Sequence, residues 1–412
     1  MKVSFVQPNV GFKGHTWEAL GIGYLISMLK NLFPEVETDF YSGFYDPDNY
    51  ILRGCSDSDI VCFSCTSPQY KHAQSLARDL KVSHPTVVTV FGGAHPSALP
   101  LDVAADPVVD IVVQGEGELP ILDIVNHGGV HCPKIYSYQQ VCNLDQLPMP
   151  DRYKILNERN IRQAKADTGK RITSIFSSRG CPFNCAFCAS RCIWKGVRSR
   201  SANHVLVEVR DVVHNLEIDF LKFSDDTFTI DKRRVLEFCE KKVTSGLDVP
   251  FGANAHINTV DEGVLIGLAG SGCEELWFGI ESGSPRLRQD MHKSTSNDHI
   301  IDVFKMCKKY DIRTRAYFLL GMPTETIEDI RMTEDLCDQL DPDIVGFTLL
   351  SPYPGSAYYN PYTMKDVDWS TFDEYNNDWV RTATLSNEQL KAEQRRLVDK
   401  YPDRIAFRHK KV

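Results

Sequence analysis

No apolar run in this 412-residue chain reaches the length of a membrane span, and the first residues, MKVSFVQPNVGFKG, lack the basic, apolar and small-residue layout of a signal peptide. A cytoplasmic protein with no membrane span is therefore expected. Positive charge is not in excess either: the formal net charge of -9 gives no general attraction for nucleic acid. Arg191, Lys195, Arg198 and Arg200 form one local basic stretch, which either neutralises anionic groups of a cofactor or solvates a helix. Repeats and low-complexity segments are absent. The 13 cysteines lack the dense, even spacing of a secreted disulfide scaffold, which points to a reducing compartment.

What is present is a cysteine triplet. Cys181, Cys185 and Cys188, in SSRGCPFNCAFCAS, are spaced C-x3-C-x2-C just after a β-like run. Three thiolates can hold three irons of a [4Fe-4S] cluster and leave the fourth iron open to a substrate or cofactor, whereas an electron-transfer ferredoxin site would want a fourth cysteine. The same spacing would also lie on one helix face, as three buried structural cysteines. Gly180 and Pro182 favour a loop instead. Zinc is a further alternative, but no C-x2-C or H-x3-H pair stands nearby to complete a tetrahedral site. Cys192 follows four residues after Cys188 and is read as a structural thiol on the following helix.

Two stretches of β/α alternation flank a break. Residues 1–135 run VSFVQ, a helix near Glu18 to Leu32, VETDFY, DIVCFSC, a helix from about Tyr70 to Val82, TVVTVFGG and DIVVQGEGE. Such a pattern predicts an open, mostly parallel, Rossmann-like α/β sheet, whose ligands bind beyond the carboxyl ends of the strands. Polar and glycine-rich loops fall there: Pro8 to Thr16, Tyr41 to Asp48, Ser64 to Gln69, Gly92 to Ser97 and Gly115 to Glu118. Ser64, Thr66 and Ser67 can donate hydrogen bonds to a phosphate or nucleotide tail, and glycine lets a ligand approach the backbone; plain structural loops are the alternative. Residues 136–170, with NLDQLPMPDRY, read as a linker. From 171 to 355 six further strand candidates follow: ITSIFSS, FLKFSDD, VPFGANA, ELWFGIES, RTRAYFLLGMP and DIVGFTLLSPYP. They predict a partial (β/α)6 barrel with functional residues at its strand ends. Residues 356–412 form a short, α-rich extension with a charged helix from Asn387 to Lys400.

The triplet, with the aromatic Phe187 before its third cysteine, resembles the signature of the radical S-adenosylmethionine (SAM) enzymes. The α/β domain with FGGAHPSALP and QGEGE before it looks like the cobalamin-binding domain of the cobalamin-dependent branch of that family. The resemblance spans roughly residues 1 to 355 and implies a [4Fe-4S] cluster on Cys181, Cys185 and Cys188, SAM, and cobalamin. It assigns to SAM the strand-end residues Ser224, Asp225 and Asp226, then Asn254 with His256, then Glu281 and Ser282 in FGIESGS, and finally Gly321 with Pro323. It assigns to cobalamin Ser64, Thr66, Gly92, Gly93, His95, Gly115 and Glu116. Many cobalamin domains carry D-x-H-x-x-G, whose histidine ligates cobalt from below. Here SGFYDPDNY follows VETDFY without a histidine, so cobalamin is expected without a histidine lower ligand; Tyr41 to Tyr50 would pack near that face, and His95 and His15 are expected to hydrogen-bond in their loops. PYPGSAYY is close to the PYPGT-like segment of relatives, with Ser356 in place of threonine.

The implied activity is C-methylation. A 5'-deoxyadenosyl radical abstracts hydrogen from an unactivated carbon of a small molecule or protein side chain, and the carbon radical takes the methyl group of methylcobalamin, with electrons from a donor such as flavodoxin or ferredoxin. The alternatives are an oxidative cyclase or rearrangement enzyme that transfers no methyl group, and a non-catalytic iron-sulfur or corrinoid-binding partner. A methylthiotransferase would want a second cysteine triplet upstream, and Cys55, Cys62 and Cys65 read instead as a buried strand and its loop. No general base is named by the sequence.

Overall fold

The computed structural model describes residues 1–10, 18–364, 367–372, 374 and 377–405. Most of the Pro8–Thr16 loop, with His15, and part of the Trp369–Trp379 stretch lie outside the described residues. The chain divides into two compact units: Met1–Gln163 with Ala189–Arg198 and Tyr353–Thr371, and Ala164–Cys188 with Ser199–Pro352 and Phe372–Val412. No helix among the described residues is long and apolar enough to cross a membrane.

The first unit is built on a six-stranded parallel sheet: β1 (Lys2–Gln7), β2 (Glu37–Ser42), β3 (Ile60–Ser64), β4 (Val88–Gly92), β5 (Ile111–Gly115) and β6 (Ile135–Gln139). The strand order is β2-β1-β3-β4-β5-β6. A parallel sheet covered on both faces needs near-continuous apolar strands, and Val3, Phe5, Val6, Ile60, Val61 and Phe63 are all buried. The helix Ser67–Ser83 lays Ala73, Leu76, Ala77 and Leu80 against the core, the spacing of one helix face. A Thr66–Gln69 capping box starts it, with Pro68 in the first turn. β6 and the helix Asn157–Thr168 occupy the stretch read from sequence as a linker. The short IYSYQ run was hidden by its position next to turn residues, and it becomes a strand by pairing in parallel with β5.

In the second unit the sheet order follows the chain: β7 (Ile172–Ile175), β8 (Phe220–Phe223), β9 (Phe251–Ala255), β10 (Cys273–Glu281), β11 (Arg313–Leu320) and β12 (Ile344–Leu349), all parallel. Helices Ala202–Asn215, Lys232–Thr244, Glu262–Gly270, Asn297–Lys309, Ile327–Leu340 and Asn387–Lys400 follow the strands in turn. Each starts at a Ser, Thr or Asp whose side chain accepts a backbone N–H: Ser201, Asp231, Asp261, Ser296, Thr326 and Ser386. Such caps are worth about 1 kcal/mol each and mark where every βα connection ends. Under the sheet, Phe223, Phe228, Phe238 and Phe251 pack edge-on or tilted with ring centroids 4.5 to 6.2 Å apart. This sequential parallel order is the partial (β/α)6 barrel expected from the six apolar runs.

Candidate cofactor sites

In the second unit the chain leaves β7 and turns through Gly180, whose φ of 85° only glycine adopts easily, into the cysteine loop. Asp225, one turn beyond β8, fixes that departure. Its Oδ1 accepts the backbone N–H of Ser177 (2.7 Å) and of Ser178, and its Oδ2 accepts the Ser177 hydroxyl (2.7 Å). Arg234 donates to the Ser177 hydroxyl at 2.7 Å and to the Phe228 carbonyl at 2.7 Å. Burial pushes the Asp225 carboxyl up, opposed by Arg234 and by the serine donors. Asp225 was expected to face the methionine end of SAM; buried with its oxygens committed, it holds the loop in place instead.

All 13 cysteines are free, and Cys181, Cys185 and Cys188 are half-buried on a loop between Gly180 and a short turn at Ser190–Cys192. The loop is clasped from one side by Met291–Lys293. Ala186 donates its N–H to the Met291 carbonyl (3.0 Å), and His292, at φ 57°, hydrogen-bonds the Asn184 carbonyl (3.2 Å). Lys293 lies 6.0 Å from the centre of the Phe187 ring and donates to Glu281 at 2.8 Å. Burial would lower the Lys293 ammonium, but Glu281 and the neighbouring thiols hold it above its ordinary value. Burial raises the Cys185 thiol to about 11, with Lys293 pulling it down. On another side the Phe183 ring stacks on His256, with centroids 3.8 Å apart. His256 is neutral, lowered to about 3 by burial and by Lys293, and its Nδ1 accepts the Asn258 N–H at 3.1 Å.

The donor set fits a cluster. Cys181, Cys185 and Cys188 are half-buried on one short loop, close enough that Cys181 and Cys188 act electrostatically on the Cys185 thiol, and three thiolates so placed can each bind a different iron. Cys192 belongs to the first unit, where its Sγ packs on Gly355 and points to the Ala94 carbonyl.

The remaining strand-end residues differ in availability. Asp226 is exposed, Ser224 is half-buried, and Asn254 is half-buried with its amide donating to the Asp225 carbonyl at 3.0 Å. Glu281 sits at φ 68°, uncommon for a non-glycine residue, and a Cβ at Gly279 would collide with its carboxylate. Ser282 was expected to contact SAM but is fully buried, its hydroxyl 3.2 Å from that of Thr333 and accepting the Ser284 N–H. Gly321 has φ 97°, and Glu325 shapes its turn by accepting the N–H groups of Gly321 and Met322. Burial raises Glu325 to about 7, and its Oε1 is buried with no hydrogen-bond partner among the described residues. Sequence reasoning passed over Glu325, Lys293, Arg234 and Thr227; of these only Glu325, four residues after a turn glycine, left a local signal.

In the first unit several expected cofactor residues serve the fold. The Thr66 hydroxyl is bound to Gln69 in the capping box. A Cβ at Gly93 (φ 95°) would lie 2.8 Å from the Cys65 backbone nitrogen, and one at Gly115 (φ 84°) 2.6 Å from the Tyr138 ring. Backbone packing and β6, rather than a ligand, require those glycines. His95 is buried, stacked on Tyr70 at 4.3 Å, and shares a 2.9 Å hydrogen bond with Ser67; burial lowers it to about 4. Glu116 is buried against Arg198, which neutralises it. Gly92 is different: an added Cβ would meet nothing nearer than 3.8 Å, and Ser64 beside it is half-buried.

A cavity of about 410 Å³ opens beyond the carboxyl ends of β1 and β3, lined by Asn9, Val10, Asp48, Pro68, Lys71, His72, Ser75 and Ser370. β1 to β2 and β1 to β3 run in opposite directions across the sheet, so the cavity lies at the switch point where open α/β sheets bind ligands. Both nitrogens of His72 are engaged, Nδ1 by the Asn9 N–H (2.8 Å) and Nε2 by Asp48 (2.9 Å).

Comparison with known proteins agrees with both halves. Residues 9–125 match the B12 binding domain family and residues 175–337 the Radical SAM superfamily. The chain is 32% identical over 370 residues to the uncharacterized methyltransferase PH0819 of Pyrococcus horikoshii, covering 84% of this chain and 78% of that protein. It is 26% identical over 406 residues to the anaerobic magnesium-protoporphyrin IX monomethyl ester cyclase of Rubrivivax gelatinosus, covering 91% of this chain and 72% of the cyclase. The fold superposes on the radical SAM methyltransferase TsrM from Kitasatospora setae with a TM-score of 0.73 at 16% identity, covering 99% of this chain and 91% of that one. The chain belongs to the radical SAM family with an N-terminal cobalamin-binding domain, and it is a radical SAM enzyme.

Proposed function

We propose that this enzyme is a cobalamin-dependent C-methyltransferase acting on an unactivated carbon of a small molecule or a protein side chain. Residues 1–135 would hold cobalamin and residues 171–355 the cluster and SAM. The observation that carries the reading is a three-thiol loop with no fourth cysteine ligand on it, in a chain whose first sheet has a polar cavity at its switch point and whose 32%-identical relative is described as a methyltransferase.

Cys181, Cys185 and Cys188 would each bind one iron, leaving the fourth to the amino and carboxylate groups of SAM. Lys293 places one positive charge beside the thiolates, and Glu281, held by Lys293, presents a carboxylate edge to SAM. Ser224, Asp226 and Asn254 are the strand-end polar groups that would face the methionine end, and the Gly321 turn, stiffened by Glu325, is the backbone edge for adenine. With the cofactors bound, the cluster would supply the electron for reductive cleavage of SAM and cobalamin the methyl group. In the first unit the cavity at β1 and β3, with Asn9, Lys71 and Ser75, suits a polar cofactor tail, and Gly92 and Ser64 leave room beside it. His72 has no free nitrogen for cobalt, which supports binding without a histidine lower ligand.

The test is anaerobic reconstitution with iron, sulfide and hydroxocobalamin, then SAM and a low-potential donor such as flavodoxin or ferredoxin. Bound cobalamin together with 5'-deoxyadenosine that disappears in Cys185→Ala supports the enzyme class; S-adenosylhomocysteine and a methylated product support methyl transfer. The cyclase of Rubrivivax gelatinosus supports a second reading, a cyclisation or rearrangement without methyl transfer. In that case deoxyadenosine forms and S-adenosylhomocysteine does not. Well-folded, cluster-loaded protein that gives neither product would leave only a non-catalytic binding role.

A further inference from the structure

We propose that the Thr227 hydroxyl donates a hydrogen bond to the Cys181 sulfur and so raises the reduction potential of the cluster. The inference rests on the cluster assignment above and adds a positioning residue that the cysteine motif does not contain.

Thr227 is buried, in the turn after β8, with Oγ1 3.5 Å from Cys181 Sγ and 2.8 Å from the Asp226 carbonyl. Its hydroxyl carries one proton and two lone pairs. While Cys181 is a thiol, both contacts can be satisfied at once: the thiol donates to Oγ1, and Oγ1 donates to Asp226. A thiolate on iron has no proton and is only an acceptor. The contact then persists only if the hydroxyl turns from the Asp226 carbonyl to the sulfur. That carbonyl gives up a local bond to its chain neighbour, whereas the sulfur gains a donor where its negative charge resides.

The two atoms are held by the same device. Asp225 ties Ser177 and Ser178, three residues before Cys181, to the turn that carries Thr227, and Arg234 braces the tie through Ser177 and Phe228. Reduction adds an electron that spreads onto the thiolates, so a donor to one of them stabilises the reduced state more than the oxidised one. Lys293 acts on the same loop as a charge from a different element and is untouched when only the Thr227 hydroxyl is removed.

The experiment is an EPR-monitored redox titration of the full chain, reconstituted anaerobically without SAM, as wild type, Thr227→Val and Thr227→Ser. Valine keeps the β-branched shape and loses the donor; serine keeps the donor. Expected are equal iron and sulfide contents, a midpoint shifted to more negative potential in Thr227→Val, and a return toward wild type in Thr227→Ser. Equal midpoints in equally loaded wild type and valine variant overturn the proposal, because a merely structural threonine would change loading or melting temperature and leave the potential alone. Should Thr227→Val fail to hold a cluster, pulsed EPR of the reduced wild type after brief transfer to D2O reads the same bond. A strongly coupled, rapidly exchanging proton is expected, and its absence overturns the proposal. A wild type that assembles no cluster would instead sink the assignment on which the inference stands.

Discussion

The two units place polar groups at strand ends in opposite ways. In the barrel unit, buried ionic and hydrogen-bonded groups hold the loops at the strand ends: Asp225 and Arg234 anchor the cysteine loop, Lys293 holds Glu281, and Glu325 holds the Gly321 turn. In the N-terminal sheet the glycines and polar residues of the β4 and β5 loops are largely consumed by one another, Gly115 by Tyr138, Glu116 by Arg198 and His95 by Ser67. There the open space lies at the switch point, where strand order alone creates a crevice. A small ligand gripped at its reactive end needs fixed charges; a large ligand laid along a sheet edge needs room and backbone.

The sharpest way to break this contrast is to remove the anchor of the cysteine loop. Asp225→Ala leaves the Ser177 and Ser178 N–H groups and the Ser177 hydroxyl without their buried acceptor, and a loss of about 3–5 kcal/mol is expected, read by urea unfolding; a loss under about 1 kcal/mol would show that the anchor is dispensable. Next is Glu325, whose carboxyl is raised from the ordinary 4.5 to about 7. A raised folded-state value means that the folded protein binds the proton more tightly, so its stabilisation is complete below pH 4.5 and is lost as pH rises through about 7. The gap corresponds to roughly 3 kcal/mol across that window. Melting temperature against pH should flatten there in Glu325→Gln, and an unchanged profile would refute the assignment.

In the N-terminal unit, Gly115→Ala combines a left-handed backbone with a collision against Tyr138. It should cost roughly 1–3 kcal/mol, and Tyr138→Ala in the same chain should relieve the collision but not the backbone term. Equal stability of the single and double variants would contradict this account. The smallest effect is expected from His72→Ala, which removes two hydrogen bonds at the cavity rim, at about 1 kcal/mol or a several-fold weaker cobalamin affinity. Iron content should be unaffected, and undiminished cobalamin binding would move the corrin site away from this crevice.

Both sheets were legible because parallel strands buried on two faces must be apolar runs, and eleven of the twelve strands of the two sheets, read from FLKFSDD, DIVCFSC and their like, needed no more than that. β6 was not, because an edge strand of five residues carries a weak apolar signal and is defined by its neighbour. The cysteine triplet was legible for a chemical reason: the number of thiolates on one short loop sets how many irons the protein can hold. The roles of Asp225 and Ser282 were misread because a strand-end position is the same in sequence whether the side chain turns toward a ligand or into the protein.

Composition, periodicity and one motif thus determined the two β/α halves and the metal-binding loop, since local spacing is enough to specify strands, helices and thiol count. Which polar side chains remain free was decided by tertiary structure alone. Lys293 meets Glu281 across 12 positions and Thr227 meets Cys181 across 46, and such pairings exist only after the strands have taken their order and a buried charge has had to find its partner.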